Sequence, residues 1–176
     1  MFSFITVILC MKSLQIKSIS SDMDKIDRKI LQTLQLDARM TMTDLSQRVG
    51  LSKTPCLERV RRLQATGVIR GFHALLDPDK LDAGHVSFVQ VTLDDTTSQA
   101  LEKFNEAVKK LPAIQACHMI AGGFDYLLKV RTHDIQSYRH VLGEGIAKLP
   151  HVQQTSTFVV METVLDSAAV PVPEGP

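Results

Sequence analysis

The sequence predicts an α+β protein with an all-helical N-terminal part and a mixed C-terminal part. Between residues 23 and 67, apolar residues recur every three to four positions, which is the period of an amphipathic helix. From His85 onward, stretches that alternate apolar and polar residues, as strands do, exchange with two helical stretches. Charge is divided in the same way, because residues 23–72 carry a net +5 and residues 73–176 a net −5. Such a division indicates a polyanion-binding module joined to one that avoids polyanions.

Composition limits the class of protein further. The 176 residues are 44% hydrophobic and 22% charged, which suits one ordinary domain or two small ones and excludes a disordered or fibrous chain. The three cysteines, Cys10, Cys56 and Cys117, have no paired or metal-like spacing, so a cytoplasmic protein is expected. The six histidines lack zinc-ligand spacing, and no phosphate loop, nucleophile elbow or carboxylate pair occurs. We therefore expect no metal, no cofactor and no enzyme activity.

The first 22 residues contain the apolar run MFSFITVILC. It is too short to span a bilayer, and it has neither a basic stretch before it nor a small residue at Leu9, where a cleavage site would need one. The patterned sequence starts only at Met23. We expect residues 1–22 to be a disordered extension or the product of a mis-called start.

Two short helices are predicted after a longer one. The first has Asp24 as its N-cap, and its apolar stripe consists of Ile26, Ile30, Leu31 and Leu34. The second starts at the capping pair Thr41 and Asp44 and ends at Gly50, which tolerates a left-handed conformation. The third starts after Ser52, and its apolar stripe consists of Cys56, Val60 and Leu63. A pair of short helices joined by a glycine-containing turn predicts a helix-turn-helix domain over residues 23–72.

The third helix carries its polar residues away from the apolar stripe or at its margins. They are Ser52, Lys53, Thr54, Glu58, Arg59, Arg61 and Arg62. A helix of this length fits the major groove of double-stranded DNA, with residues near its N-terminus reaching bases and arginines holding phosphates. We therefore predict a DNA-binding face. Two alternatives stay open: the face is merely solvated, or Arg59 pairs with Asp37 or Asp44 inside the domain.

The remaining chain predicts a linker, a second domain and a tail. The linker covers residues 73–85, and the tail covers residues 166–176. Between them, in residues 86–165, the strands HVSFVQVTL, IQACHMI, YLLKVRT and VQQTSTFVVMETVL exchange with the helices LEKFNEAVKKL and 137–149. The order βαββαβ predicts a ferredoxin-like antiparallel sheet with helices on one face. Its open face carries alternate apolar residues, so dimerisation through the sheet is expected.

The chain resembles the Lrp/AsnC family, the feast/famine regulators, and especially its leucine-responsive branch, over residues 23–165. The resemblance is carried by DKIDRKILQTLQLDAR, DLSQRVGLSKTPCLERVRRLQATGVIRGF, IQACHMIAGGFDYLLKVR and LPHVQQTSTFVVME. It implies a RAM-type C-terminal domain, dimers that associate into tetramers or octamers, and association with the nucleoid. It also implies regulation of amino-acid metabolism genes through DNA binding tuned by an amino-acid effector, with leucine and proline as first candidates.

The resemblance implies an effector site between dimers, around the hairpin of residues 121–125. A free amino acid offers a carboxylate to backbone N–H groups near Gly122 and Gly123 and an ammonium to Asp125. By resemblance, the other residues of the site are Ile135, Ala147, Val159 and Val160. Leucine-responsive relatives carry an acidic residue where this chain has Gly123. Alternatively, Asp125 caps a turn through its own side chain and the glycines only form that turn.

Three functional hypotheses follow. The first is a sequence-specific regulator whose DNA binding responds to an amino acid. The second is an architectural protein that wraps DNA without any effector, which the departure at Gly123 keeps open. The third, an enzyme or metabolite binder built on the ferredoxin-like domain, is disfavoured by the basic helix-turn-helix.

Overall fold

A computed structural model describes residues 23–173, which form two compact units. The predicted extension of residues 1–22 and the last three residues of the predicted tail lie outside this part of the chain. One unit runs up to Leu75 and takes in the chain from Ser167 onward, and the other is Leu76–Asp166. The domain limits taken from the sequence stay predictions. None of the helices between residues 23 and 173 has the length and apolar character of a membrane span.

The N-terminal unit consists of three helices: α1 is Lys25–Leu36, α2 is Met42–Val49 and α3 is Lys53–Ala65. The start of α1 is a reciprocal capping box, in which Asp24 Oδ1 accepts the Asp27 N–H at 2.8 Å and Asp27 Oδ2 accepts the Asp24 N–H at 3.2 Å. Gly50 ends α2 with φ 79°, a left-handed conformation that costs other residues energy. Ser52 is the N-cap residue of α3, but its side chain makes no capping hydrogen bond.

The apolar stripes of the three helices meet in one core. Its buried members are Ile30, Leu34, Leu45, Val49, Cys56, Val60 and Leu63. Ile26 and Leu31 are partly buried against this core, so all the stripe residues predicted for α1 and α3 take part in it. Because the stripe of α3 faces inward, its opposite face is left to solvent.

The C-terminal segment lies against α1, although the sequence predicts only a tail there. The Gln35 side chain donates to the Val170 carbonyl at 3.0 Å and accepts the Val170 N–H at 2.7 Å. Arg28 Nη1 donates to the Pro173 carbonyl at 2.8 Å. Hydrogen bonds at two points, rather than burial of apolar side chains, therefore hold residues 167–173 in place.

The C-terminal unit is a four-stranded antiparallel sheet with two longer helical segments and, before the first strand, a short 3-10 turn, Asp79–Leu81. Its strands are β1 His85–Leu93, β2 Ile114–Met119, β3 Tyr126–Thr132 and β4 Val152–Val159, and α4 is Ser98–Val108. The strand order is β2-β3-β1-β4, so β1 pairs with both β3 and β4. This order, with the sequence order βαββαβ, confirms the predicted ferredoxin-like α+β fold.

One face of the sheet forms the core of this unit. Alternate residues of β1 and β3 are buried, and they pack with residues of the helices: Val89, Val91, Leu128, Val130, Phe104, Val108, Tyr138 and Ile146. The opposite face carries the apolar residues Phe88, Leu127 and Phe158 among the polar residues Gln90, Lys129 and Arg131. Asp166 follows β4 and lies 2.6 Å from Lys129 Nζ.

Two elements differ from their predicted extents. The last strand was expected over residues 152–165 but ends at Val159, because β1 begins at His85 and leaves little strand to pair beyond the Ser87–Val159 register. The helix expected over residues 137–149 begins earlier, as α5 Ile135–His140, and continues as a π turn Val141–Gly145 and a 3-10 turn Ile146–Lys148. Glycines at positions 143 and 145 weaken a regular α-helix and permit this irregular continuation.

The two tyrosines of the chain provide a probe of the C-terminal core. Burial raises the pKa of Tyr126 to about 12 and raises the pKa of Tyr138 above its ordinary value. A raised phenol pKa means that the associated stability is present below the unfolded pKa of about 10 and is lost as pH rises through the folded value. At about pH 10, we expect less tyrosinate absorbance in the folded protein than in denaturant, where both tyrosines are about half ionised, and almost no contribution from Tyr126 in the folded protein.

The Tyr138→Phe variant separates the two groups, since only the late ionisation of Tyr126 should remain. A folded protein in which both tyrosines are half ionised near pH 10 would contradict the described core.

Candidate DNA interface and ligand site

One face of α3 is exposed to solvent in the described part of the chain. Lys53, Thr54, Glu58 and Arg61 are exposed, opposite the buried stripe, and Ser52 precedes them at the N-cap. Within residues 23–173, none of these five side chains makes an ion pair or hydrogen bond. A 13-residue helix is about 20 Å long, which matches the length that a recognition helix lays in a major groove. This face therefore has the size, charge and availability that DNA contact requires.

Arg59 and Arg62 are directed instead to the start of α1. Arg59 Nη1 lies 2.6 Å from Asp24 Oδ2 and 2.9 Å from Asp27 Oδ1, and Arg62 Nη2 lies 2.5 Å from Asp27 Oδ2. The alternative that Arg59 pairs inside the domain is thus what the structure shows. Its expected partners, Asp37 and Asp44, were wrong.

Neighbouring groups shift the pKa values of two residues of this cluster, Asp24 and Arg59. Asp27 is fully buried, while the side chain of Arg62 is about half exposed. The hydrogen bond from the Asp27 N–H, and after it Arg59, lower the pKa of Asp24. Hydrogen bonds to Asp24 and Asp27 raise the pKa of Arg59. Two of the four cations on α3 are therefore already paired with carboxylates.

Asp24 and Asp27 are the residues of this cluster that sequence reasoning missed as arginine partners. Their positions at the N-cap and third residue of α1 identify a helix start, but they do not say which helix packs there. The spacing of Arg59 and Arg62 is the sequence feature that could have indicated a shared partner, because residues three apart lie on one side of a helix.

In the C-terminal unit, Asp125 connects the hairpin to β1. Its Oδ2 accepts the Leu93 N–H at 2.8 Å, and its backbone N–H donates to the Val91 carbonyl at 3.0 Å. The carboxylate thus caps the end of a neighbouring strand rather than a turn in its own loop. Its other oxygen makes no hydrogen bond to any residue in the described part of the chain.

The hairpin glycines are exposed and conformationally ordinary. Of the glycines between residues 23 and 173, only Gly50 and Gly67 have a positive φ. A Cβ added at Gly123 meets nothing within 4 Å, and one added at Gly122 meets Ile120 at an ordinary 3.5 Å. Position 123 therefore has room for an acidic side chain.

The seven residues proposed for the effector lie at two ends of the sheet. Gly122, Gly123 and Asp125 are beside the end of β1, and Ala147 is in the 3-10 turn shortly before Val152, which pairs with Leu93. Ile135, Val159 and Val160 are at the other end, where Val159 pairs with Ser87. Ser87 and Leu93, which mark these two ends, are six positions apart on β1 and so about 20 Å apart. This distance exceeds the length of a free amino acid. One chain does not bring all seven residues to a single ligand.

The described part of the chain gives no support for a reactive cysteine or a metal site. Burial raises the pKa of the Cys56 and Cys117 thiols, which keeps both in the unreactive protonated form. Residues 23–173 contain no group of three or more His, Cys, Asp or Glu side chains placed to hold a metal ion.

Two family models match the two parts of the chain. Residues 23–70 match a winged helix-turn-helix DNA-binding domain, and residues 86–170 match the Lrp/AsnC ligand binding domain. The first match covers α1 to α3, and the second covers the four strands of the sheet except His85, the first residue of β1.

Curated relatives are similar along most of their length. A proline dehydrogenase transcriptional activator of Rhizobium radiobacter is 55% identical over 148 residues, which are 84% of this chain and 95% of that protein. The leucine-responsive regulatory protein of Escherichia coli K12 is 53% identical over 146 residues, 83% of this chain and 89% of that protein.

Solved structures share the same architecture. An AsnC family transcriptional regulator from Agrobacterium tumefaciens has a TM-score of 0.80 and 36% identity, covering 85% of this chain and 97% of its own. A transcriptional regulator from Neisseria meningitidis, solved as a complex with L-Met, has a TM-score of 0.78 and 33% identity, covering 85% and 96%. With both domains matched and relatives above 50% identity, the chain belongs to the Lrp/AsnC family of transcriptional regulators.

Proposed function

We propose that this protein is a sequence-specific DNA-binding regulator of amino-acid metabolism genes whose binding is modulated by an amino acid. The observation that carries this proposal is the exposed face of α3, whose polar side chains have no partner among residues 23–173. A helix-turn-helix presents this face in a chain that also contains an Lrp/AsnC ligand binding domain. The relatives named as transcriptional activators and regulatory proteins support it, and a catalytic role is not part of the proposal.

Base and phosphate contacts are divided along α3. Ser52, Lys53, Thr54 and Glu58 are near its N-terminus and reach base edges, where a carboxylate accepts from cytosine and a cation donates to guanine. Arg61 lies one turn further and holds a phosphate, because its planar fork matches the phosphate oxygens. We assign Arg59 and Arg62 to positioning α3, since their guanidinium groups are held by the carboxylates of α1.

The effector is a free amino acid bound by the hairpin end of the sheet. Exposed backbone around Gly122 and Gly123 offers N–H groups to its carboxylate. The Asp125 oxygen that makes no hydrogen bond within residues 23–173 receives its ammonium. The names of the relatives make proline and leucine the first candidates, and the Neisseria structure with L-Met adds methionine. Residues Ile135, Val159 and Val160 contribute from another copy of the chain, because they lie about 20 Å away in the same copy.

Self-association and location complete the proposal. Dimers form through the outer face of the sheet and assemble into tetramers or octamers, which supplies the second chain that the effector site needs. The protein works in the cytoplasm on the nucleoid, where its DNA is found.

A second candidate is an architectural protein that wraps DNA without an effector. It is favoured by Gly123, which removes a possible acidic ligand, and by the strand-capping role of Asp125. The two candidates differ in whether any amino acid changes DNA binding.

Replacing Arg61 by Ala tests the proposed interface. If Arg61 holds one phosphate, the slope of log affinity against log salt concentration should fall by about 0.9, on operator and scrambled DNA alike. Fluorescence anisotropy at several salt concentrations measures it. The control Lys103→Ala removes one exposed cation from α4 and should leave the slope unchanged. An unchanged slope in Arg61→Ala would contradict the phosphate contact.

Replacing Asp125 by Asn tests the ammonium contact apart from the fold. Asparagine keeps an oxygen for the Leu93 N–H but loses the charge, so the melting temperature should hold while effector affinity falls by roughly 10- to 100-fold. Asp125→Ala removes both functions and should also destabilise the C-terminal unit by about 1–3 kcal/mol. An Asp125→Asn variant that binds its amino acid like the parent would remove Asp125 from the site.

Replacing Gly123 by Asp tests the departure from leucine-responsive relatives. The position is open and has no positive φ, so the melting temperature should shift by no more than about 2–4 °C, since surface changes seldom exceed about 0.5 kcal/mol. If position 123 limits responsiveness, leucine should change DNA binding more in Gly123→Asp than in the parent. Equal responses would show that the position does not set effector choice.

A further inference from the structure

We propose that Asp27 is a specificity-determining positioning residue, which keeps Arg59 and Arg62 away from DNA phosphates and fixes the rotation of α3. The inference rests on the proposed DNA-binding function. It assigns a role in DNA selection to a carboxylate that lies on α1, outside the exposed face of α3.

Both carboxylate oxygens of Asp27 accept hydrogen bonds. One oxygen accepts from Arg59 at 2.9 Å, and the other accepts from Arg62 at 2.5 Å and from the Asp24 N–H at 3.2 Å. The side chain is fully buried, so water does not compete for these contacts. One carboxylate on α1 thus holds two cations that are nearly one turn apart on α3.

Holding two points on one side of α3 fixes its rotation about its own axis. With Arg59 and Arg62 directed to α1, the side that carries Thr54, Glu58 and Arg61 is directed to solvent. A helix that rotates by one residue turns its side chains by about 100° and presents a different set to the groove. Base selection by this face therefore depends on the contacts of Asp27.

The same contacts reduce the charge available to any DNA sequence. Helix α3 carries four cations, and two of them are paired with Asp24 and Asp27. Affinity for arbitrary DNA comes almost entirely from phosphate contacts and counterion release, which do not distinguish one sequence from another. Arginines released onto phosphates would raise binding to arbitrary DNA more than binding to an operator, and the ratio of the two would fall.

The test is Asp27→Asn in the full chain, with Asp44→Asn as the matched control. Asparagine keeps the size and the capping oxygen of Asp27 but not the charge that holds the arginines. Asp44→Asn makes the same change of charge at an exposed carboxylate whose side-chain partner is Thr41 rather than an arginine. Anisotropy measures affinity and salt slope for each protein on its own upstream DNA and on scrambled DNA.

We expect the affinity for the two DNAs to change in opposite directions. In Asp27→Asn, affinity for scrambled DNA should rise about tenfold, and its salt slope should steepen by about one to two, while affinity for upstream DNA falls. Adding Arg62→Ala to Asp27→Asn should reverse about 0.9 of that steepening. Asp44→Asn should resemble the parent.

Other results overturn the inference. A merely structural role for Asp27 predicts weaker binding to both DNAs with no steeper slope. If Asp27→Asn does not fold, Arg62→Ala alone decides: an unchanged slope supports a withheld arginine, and a slope lower by about 0.9 shows that Arg62 already contacts phosphate. A parent protein with no preference for upstream DNA would instead refute the proposed function, which is a separate outcome.

Discussion

The N-terminal unit is organised around a carboxylate that has no contact with water. A buried charge is tolerated only when it is paired and hydrogen-bonded, and Asp27 meets this condition through Arg59, Arg62 and the start of its own helix. Removing one partner of a buried pair generally costs about 3–5 kcal/mol, and less here because Arg62 is half exposed. The capping of α1 and the orientation of α3 therefore depend on the same side chain.

This arrangement assigns the two roles of a basic helix, packing within the domain and contact with DNA, to different cations of α3. Arginine is suited both to phosphate and to carboxylate, so its sequence position alone does not reveal which it meets. On α3, the carboxylates of α1 take two arginines, and Arg61 and Lys53 stay available. In the C-terminal unit, Asp125 similarly uses one oxygen to cap β1, and its other oxygen bonds to none of the residues that the structure describes. Both candidate sites are thus built on residues that also stabilise their surroundings.

Local patterns predicted most of the fold. The stripe of α3, the end of α2 at Gly50 and the limits of β1 and β3 follow from periodicity and turn chemistry, which act over a few residues. The end of β4 and the π turn after α5 were missed, because they depend on how much of β1 remains to pair and on how glycines distort a packed helix. The place of residues 167–173 on α1 was missed for the same reason, since two hydrogen-bonding side chains far back in the sequence determine it.

The sequence identified the residue types of the candidate sites but not their contacts. The polar face of α3 was predicted, yet the partners of Arg59 were assigned to the wrong aspartates, and the seven effector residues lie at two ends of the sheet.

The most direct measurement is the affinity of the purified chain for its own upstream DNA and for scrambled DNA, with and without proline, leucine and methionine. A preference for upstream DNA that one amino acid shifts is the predicted result, and equal affinity for both DNAs, unaffected by any amino acid, would contradict it.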